Sequence, residues 1–229
     1  AHSFVRNKED VIAVQTILDK KKSPIKIIAK IENAQGVENL NEILDQAYGV
    51  MIARGDLAVE IPAEHIPLIQ KAIIKTCIEK RKPVIVATQM LHSMIDSPRP
   101  TRAEVSDVAN ACLDHTDALM LSGETASGKY PEEAALTMAK IAREVESKIS
   151  SYVDVPYTLE NKVTAYLAKA AVKAAFRLNT KGIVADSMTG KSIRELSAYR
   201  GDNPIYALIY DRRIVRQLSL SFGVFAEYM

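Results

Sequence analysis

The sequence predicts an α/β fold in which parallel strands alternate with helices. Five apolar runs each end in polar residues, and a helical stretch follows each of them. The five polar endings lie at residues 3–6, 30–33, 54–57, 88–90 and 122–125. Parallel strands joined through helices have their C-terminal ends on one face, which is where such folds carry out their chemistry. The spacing therefore predicts one catalytic site built from these endings.

Hydrophobic periodicity and capping residues place the elements of the N-terminal part in order. Strands are predicted at 25–31, 50–54, 84–87 and 118–121, after a strand end at 3–6. Helices are predicted at 8–21, 36–46, 66–81, 102–113 and 131–149, with Asn7 as the first cap and a short helical segment at 89–95. In the strand at 25–31, alternation places Lys30 on the face opposite Ala29 and Ile31, and Glu32 continues the face of Lys30.

A second, smaller α/β unit is predicted after a linker at 151–158. The linker contains Pro156 and shows no helical period. Helices are predicted at 160–178, 191–199 and 212–219, and strands at 182–185, 205–209 and 224–225. We therefore expect one domain at 1–150 and a second domain, with a parallel sheet, at 159–229.

The composition indicates a soluble globular protein with a reduced interior. Of the 229 residues, 48% are apolar and 25% are charged, and the formal charge of +2 is too small to favour nucleic acid or an acidic membrane surface. The two cysteines, Cys77 and Cys112, lie in apolar helical patterns, which favours reduced core thiols in a cytoplasmic protein over a disulfide. No apolar run is long enough to cross a bilayer.

Two carboxylates stand at neighbouring strand ends. Glu32 and Asp56 are 24 residues apart, about one strand–helix unit, so we expect them on adjacent strands. A hard divalent cation such as Mg²⁺ or Mn²⁺ prefers one or two protein carboxylates and leaves positions for substrate oxygens. The alternative is that each carboxylate caps the helix that follows it, and the spacing alone leaves both open.

Further polar side chains at these ends are candidates for catalysis. Lys30 lies two residues before Glu32 on the same face, where a cation could stabilise an enolate oxygen or a phosphoryl group in transfer. Thr88 ends an apolar strand, and its hydroxyl would act through water or by binding a ligand, in a relay that Ser122 and Glu124 could extend. The alternatives are a solvated lysine and ordinary helix capping by the hydroxyl groups.

Five strings of residues resemble the pyruvate kinase family. They are IAKIEN at 28–33, MIARGDL at 51–57, VATQML at 86–91, PRPTRAE at 98–104 and LSGETA at 121–126. The resemblance runs in order from Ser3 to about Lys148 and is weaker in the C-terminal unit. It implies a partial (β/α)8 TIM barrel with about five of the eight strands, followed by an incomplete smaller α/β domain.

The resemblance implies an enzyme of glycolysis. Pyruvate kinases transfer the phosphoryl group of phosphoenolpyruvate to ADP to give pyruvate and ATP, using Mg²⁺ or Mn²⁺ and usually K⁺. On this resemblance Lys30 stabilises the phosphoryl group and the enolate, as a fixed cation can. Glu32 and Asp56 would bind the divalent metal.

The resemblance also implies where the substrate binds. The residues expected to contact it are Ala53, Arg54 and Gly55, through their backbone, with Asp56 and Thr88. Thr88, Ser122 and Glu124 would belong to a hydroxyl and water route that protonates the enolate carbon. Ser3 and Phe4 would border the site.

Two loops have further counterparts in the family. The segment from Pro98 to Glu104 resembles the subunit contact of a homotetramer, through which Arg102 could connect the site to a neighbour. A second loop resembles the one that holds an effector sugar phosphate in some members, with Ser187, Thr189, Gly190, Lys191 and Ser192 as its candidate residues. The alternative for this loop is a polar turn with capping residues, and its partner loop would lie beyond Met229.

The chain departs from the family pattern in several places. Ala58 stands where the family usually has glycine, and the first three barrel strands are missing, with the family's phosphate-binding arginine, its K⁺ ligands and its lid domain. The chain begins in the tail of a predicted strand and stops just after a short strand-like run. We therefore expect a piece of a longer enzyme, inactive by itself because five of eight strands cannot close a barrel.

Two other functions fit part of the pattern. A Mg²⁺-dependent lyase or aldolase that holds a pyruvate enolate also uses Glu and Asp from consecutive strand ends, but its chemistry does not require the strings at 98–104 and 121–126. A non-catalytic half-barrel module is disfavoured because packing does not require the full set of polar residues at the strand ends, which is Lys30, Glu32, Asp56 and Thr88. The resemblance implies phosphoenolpyruvate or pyruvate and ADP or ATP as partners, and from the composition we expect no nucleic acid and no membrane.

Overall fold

The chain divides into two compact units, Ala1–Val145 and Glu146–Met229. The structure is a computed structural model, and it describes residues 1–149, 152–156 and 162–229. Each unit contains its own parallel sheet, and the polar strand ends of interest at 30–33, 54–57, 88–90 and 122–125 belong to the first.

The first unit alternates helices and strands in the predicted order. Its strands are β1 (Ile28–Ile31), β2 (Gly49–Ala53), β3 (Val84–Ala87) and β4 (Ala118–Met120). Its helices are α1 (Lys8–Lys20), α2 (Ala34–Glu38), α3 (Leu40–Gln46), α4 (Arg54–Glu60), α5 (Ile66–Glu79), α6 (Arg102–Leu113), α7 (Gly123–Ala126) and α8 (Pro131–Glu146), with 3-10 turns at Ala63–His65 and His92–Ile95.

The four strands of the first unit form one parallel sheet in chain order. The last residues of the strands are in register, since Ala53 pairs with Ala87 and Ala87 pairs with Met120. The first predicted strand end adds a single bridge, in which the His2 N–H donates to the Ile28 carbonyl at 2.8 Å. This register brings the polar residues that follow each strand to one edge of the sheet.

The two central strands are buried on both faces, as parallel strands are when helices cover them. Every residue of β2 and β3 is buried. In β1 the predicted alternation is present, because Ala29 and Ile31 are fully buried while Lys30 is only partly covered. The predicted start of this strand is wrong: Ile25 is 65% exposed, and the strand begins at Ile28, where pairing with β2 also begins.

Two helices differ from the prediction near the sheet edge. The predicted helix at 36–46 is divided at Asn39, whose backbone (φ −91°, ψ 14°) interrupts it and whose side chain donates to the Arg6 carbonyl at 2.9 Å. The sequence does not predict α4, and Arg54 begins this helix instead of ending β2. The glycine in this segment lowers its helix propensity, so its helical state depends on packing of the fully buried Leu57.

The second unit is a three-stranded parallel sheet in the order β5, β6, β7. Its elements are α9 (Lys162–Arg177), β5 (Ile183–Ser187), α10 (Lys191–Ala198), β6 (Ile205–Ile209), α11 (Arg212–Leu218) and β7 (Val224–Tyr228). The buried Tyr199 hydroxyl, just after α10, donates to the Ala165 carbonyl of α9 at 3.0 Å and joins the two helices. The smaller parallel-sheet unit predicted from the sequence is therefore present.

Part of the predicted linker at 151–158 is described. Residues 152–156 carry neither helix nor strand, whereas 151, 157 and 158 lie outside the described residues, as do 160 and 161 of the next predicted helix. Within the described ranges, no helix combines the length and apolar character that a membrane span needs.

α6 begins with the predicted capping box. The Thr101 hydroxyl accepts from the Glu104 N–H at 3.2 Å, and the Glu104 carboxylate accepts from the Thr101 N–H at 2.7 Å. The same carboxylate accepts from the N–H and the hydroxyl of Ser93, both at 2.6 Å. Burial by itself would raise the pKa of Glu104, but the hydrogen bonds from Ser93 and Thr101 together outweigh it and hold the pKa below the ordinary value of 4.5.

Replacing Glu104 by Gln should destabilise the first unit by about 1–2 kcal/mol at neutral pH, because charge-assisted hydrogen bonds are lost. Since the folded pKa is lowered, the stabilisation by Glu104 is complete above pH 4.5 and declines as the pH falls through the folded pKa. The difference in urea midpoint between wild type and E104Q should therefore shrink on acidification. The same substitution at the exposed Glu132 should leave the midpoint unchanged. A difference that grows below pH 4.5 would contradict this account.

Candidate active site

Lys30 and Glu32 form an ion pair at the end of β1. The Glu32 side chain is 1% exposed, and its second oxygen accepts from the Phe4 N–H at 2.6 Å. The Lys30 ammonium also donates to the Ser3 hydroxyl at 3.1 Å. Phe4 has φ 56°, which is rare for a bulky residue, so its bond to Glu32 holds a strained backbone. The structure thus brings together four residues that the sequence places at or beside the site.

β3 is followed by two successive left-handed residues, Thr88 (φ 68°) and Gln89 (φ 55°). A β-branched residue is seldom found in this conformation, and each such residue costs about 1–3 kcal/mol. In this turn the Thr88 hydroxyl oxygen accepts from the Gly55 N–H at 2.8 Å. The Gly55 N–H and the Thr88 hydroxyl, which are both expected to contact the substrate, are therefore hydrogen-bonded to each other.

The Arg54 side chain holds this turn from the start of α4. Its guanidinium donates to the Thr88 carbonyl and to the Met90 sulfur, both at 2.8 Å. It also forms an ion pair with Asp107 of α6 at 2.6 Å, and a longer hydrogen bond reaches Gln70 of α5 at 3.4 Å. The side chain is 11% exposed, and its buried Nε has no hydrogen-bond partner among the residues that the structure describes. The sequence predicts a role for the Arg54 backbone only. The contacts of its side chain with the Thr88 turn, α5 and α6 are not predicted.

Asp107 and Gln70 are site-supporting residues that the sequence does not single out. Asp107 lies at a partly exposed position of α6, and in sequence it looks like any charged residue on the solvated face of a helix. Gln70 is 5% exposed and stands among the apolar residues of α5. A lone polar residue inside an apolar helical pattern is the one signal that could have indicated a buried partner.

Glu32 and Asp56 are the carboxylates predicted to hold a divalent metal. Glu32 follows β1, and Asp56 is exposed in the first turn of α4, after β2. Both are hard oxygen donors, which would fit Mg²⁺ or Mn²⁺ if substrate and water supplied the other ligands. Among the described residues, no group of three or more His, Cys, Asp or Glu side chains could hold a metal ion.

The alternative prediction, that Glu32 and Asp56 each cap the helix that follows, is wrong. Asn33 caps α2, because its side-chain oxygen accepts from the Gly36 N–H at 2.8 Å. α4 follows Ala53 without a side-chain cap. Glu32 and Asp56 are therefore not the N-caps of the helices that follow them.

Glu124 lies in α7 after β4 and is 2% exposed. One carboxylate oxygen accepts from the Leu91 N–H at 3.1 Å, and the other accepts from the Ser122 N–H at 2.8 Å. These bonds join the end of β4 to the turn that contains Thr88. Ser122 is the residue before α7, and its hydroxyl makes no capping bond to that helix.

The predicted effector loop of the second unit connects β5 to α10. Ser187 ends β5, and its hydroxyl accepts from the Gly190 N–H at 3.0 Å. Gly190 has φ 74°, which a glycine adopts without strain, and Lys191 begins α10. The Thr189 carbonyl accepts from the Arg194 guanidinium at 3.1 Å. The loop is therefore a compact polar turn at the start of a helix.

Both units match models of pyruvate kinase domains. Residues 1–135 match the pyruvate kinase barrel domain, and residues 166–229 match the pyruvate kinase alpha/beta domain. The chain belongs to the pyruvate kinase family. The predicted family and the predicted fold class, part of a TIM barrel followed by an incomplete smaller α/β domain, are confirmed.

Similar pyruvate kinases are about twice as long as this chain. That of Borreliella burgdorferi is 49% identical over 230 residues, which cover 99% of this chain and 48% of that protein. That of Clostridium perfringens is 47% identical over 237 residues, which cover 99% of this chain and 49% of that protein. A crystal structure of a pyruvate kinase from Cryptosporidium parvum has a TM-score of 0.91 and 40% identity, over 99% of this chain and 48% of that chain.

Asp107→Asn should destabilise the first unit by about 1–3 kcal/mol, because it leaves the Arg54 guanidinium without its ionic partner. The matched control is Asp96→Asn, which breaks a pair with Lys129 whose side chains are 73% and 70% exposed. That change should leave the urea midpoint unchanged, because exposed ion pairs contribute little to stability. Urea denaturation of both variants measures the difference, and equal costs would show that Arg54 does not depend on Asp107.

Proposed function

We propose that this chain is part of a pyruvate kinase, a cytoplasmic enzyme of glycolysis that transfers the phosphoryl group of phosphoenolpyruvate to ADP. Pyruvate and ATP are the products. The observation that supports this best is the ion pair of Lys30 and Glu32 at the same sheet edge as the turn that holds the Thr88 hydroxyl. The matched relatives, which carry the name pyruvate kinase, add further support.

Lys30 is the proposed catalytic cation. Phosphoryl transfer from phosphoenolpyruvate leaves an enolate, and a positioned positive charge stabilises both the phosphoryl oxygens and the enolate oxygen. The contacts of Lys30 with Glu32 and with the Ser3 hydroxyl hold its ammonium before substrate arrives. A cation that is already oriented loses little free energy by reorganising during the reaction.

Glu32 and Asp56 are the proposed ligands of Mg²⁺ or Mn²⁺. When bound, such a metal supplies positive charge that orients the substrate oxygens and offsets the charge of the phosphoryl group. The Glu32 carboxylate is oriented by Lys30 and by the Phe4 N–H, so its direction is set by its neighbours. A requirement for K⁺ is implied by the family, and its ligands are expected outside this chain.

The backbone after β2 and the Thr88 hydroxyl are proposed to bind the substrate carboxylate. The Gly55 N–H and the Thr88 hydroxyl bind each other at 2.8 Å, so a carboxylate could accept from both in place of this contact. The residues of the proposed substrate pocket are Ala53, Arg54, Gly55, Asp56 and Thr88. The Thr88 and Ser122 hydroxyls are proposed to line the water route that protonates the enolate carbon, with Glu124 bound to the Ser122 N–H.

Assembly and regulation are proposed from the family resemblance. The segment from Pro98 to Glu104 would lie at a subunit contact of a homotetramer, and the capping box of α6 gives it a defined backbone. The loop with Ser187, Thr189, Gly190, Lys191 and Ser192 would bind the phosphate of an effector. Gly190, the N-cap of α10, makes no side-chain capping bond, and backbone N–H groups at a helix start suit an anion.

The isolated chain should form no pyruvate from phosphoenolpyruvate and ADP. In the described residues the first sheet has four strands and one bridge, which cannot close a barrel. A chimera in which this chain replaces the matching half of the Borreliella burgdorferi enzyme should restore the reaction. A lactate dehydrogenase-coupled assay measures both. A near-normal rate from the isolated chain would contradict the first expectation. A folded chimera without activity would contradict the second.

Lys30→Met in that chimera should lower kcat by about 10²–10³-fold, since one charge-stabilising group is removed from the transition state. The matched control is Lys26→Met, which makes the same change at an exposed lysine near β1 and should leave kcat unchanged. Steady-state kinetics with Mg²⁺ measures both variants. A K30M chimera as active as the unsubstituted chimera would reject the role proposed for Lys30.

A further inference from the structure

The Glu124 carboxylate joins two segments at the sheet edge. One oxygen accepts from the Leu91 N–H at 3.1 Å, after β3, and the other accepts from the Ser122 N–H at 2.8 Å, after β4. Hydrogen bonds to an ionised acceptor are stronger than those between neutral groups, and burial strengthens them further. Glu124 is 2% exposed, so both oxygens are committed to the backbone in a place that water does not reach.

The segment that Glu124 holds contains strained residues. Leu91 follows closely on Thr88 and Gln89, which have φ 68° and 55°. Such conformations persist only when the surrounding structure leaves no relaxed alternative. A fixed attachment at Leu91 is one way to prevent the turn from relaxing.

Two other charged side chains hold the ends of the same segment. Arg54 donates to the Thr88 carbonyl at 2.8 Å. Glu104 accepts from the Ser93 N–H at 2.6 Å. The carboxylate contact at Leu91 lies between these two attachments, so it fixes the middle of the segment and connects it to the end of β4.

We infer that Glu124 is a positioning residue, which sets the Thr88 hydroxyl and Ser122 relative to each other and does not itself carry a proton. A proton carrier must face the reacting atoms or a chain of water molecules. Glu124 is buried and bound to N–H groups at both oxygens. The inference rests on the proposed function only for what Thr88 and Ser122 do, because the contacts of Glu124 exist without substrate.

Amide hydrogen exchange of the full 229-residue chain, followed by NMR without any ligand, tests this role. Glu124→Gln keeps the size of the side chain but places an NH2 donor where one acceptor was. At least one of the Leu91 and Ser122 amides should then exchange about tenfold faster or more. The Cα and Cβ shifts of Thr88 should also move as its φ relaxes. Unchanged exchange at both amides would overturn the inference.

Matched variants separate a local effect from a general one. Glu132→Gln makes the same change at an exposed position in the first turn of α8 and should leave both amides unchanged. The amides of β2, in the first unit, should keep their exchange rates in E124Q and so report that this unit stays folded. If E124Q does not fold, Glu124→Asp retains the charge on a shorter side chain. Faster exchange at Leu91 or Ser122 in E124D supports the inference, and no change overturns it.

The chimera distinguishes the two roles of Glu124 from each other and from the proposed function. One outcome is that the E124Q chimera forms no pyruvate while the E124Q chain keeps its amide exchange rates and its Thr88 chemical shifts. That combination would show that Glu124 is a proton carrier and would overturn the inference. Faster exchange in E124Q, together with an unsubstituted chimera that is inactive, would reject the proposed function and keep the positioning role.

Discussion

The left-handed pair Thr88 and Gln89 is the constraint on which the arrangement of the sheet edge depends. The turn presents the Thr88 carbonyl to Arg54 and its hydroxyl to the Gly55 N–H. Two such residues cost about 1–3 kcal/mol each, and a hydrogen bond to a charged group contributes about 1.5–3 kcal/mol. Because strain and restraint are of the same order, the turn keeps this geometry only while its charged contacts are intact. The strain also explains why several contacts converge on so short a segment.

Charged side chains at this edge are bound to backbone groups of neighbouring segments. Glu32 accepts from the Phe4 N–H, Arg54 donates to the Thr88 carbonyl, and Glu124 accepts from two N–H groups. These bonds offset the cost of removing charge from water, which would otherwise be several kcal/mol per group. A residue such as Glu32 can thus support the fold and face a ligand, so a loss of activity on its substitution reports both effects together. Separating the effect on the fold from the effect on activity requires a measurement of structure in addition to a measurement of rate.

The sequence predicts elements and strand ends well because those signals are local. β3, β6 and the capping box of α6 follow from a few neighbouring residues, and the alternation in β1 predicts which face Lys30 occupies. The bond between Gly55 and Thr88 and the ion pair between Arg54 and Asp107 join residues 33 and 53 positions apart, and they leave no local pattern. The sequence does not predict α4 for the same reason. The burial of Leu57 in the folded chain outweighs the low helix propensity of this segment.

The charges at the end of β1 bear on the order in which ligands would bind. Lys30 and Glu32 neutralise each other in their ion pair, which leaves the exposed Asp56 as the other carboxylate of the proposed metal site. One carboxylate outside the Lys30–Glu32 pair attracts a divalent cation weakly, because sites of high affinity use several charged ligands. With a divalent cation added, the sum of these side-chain and metal charges is positive, so an anionic substrate is favoured beside it. These charges therefore support the proposal that metal and phosphorylated substrate bind together, in preference to a metal held permanently by the protein.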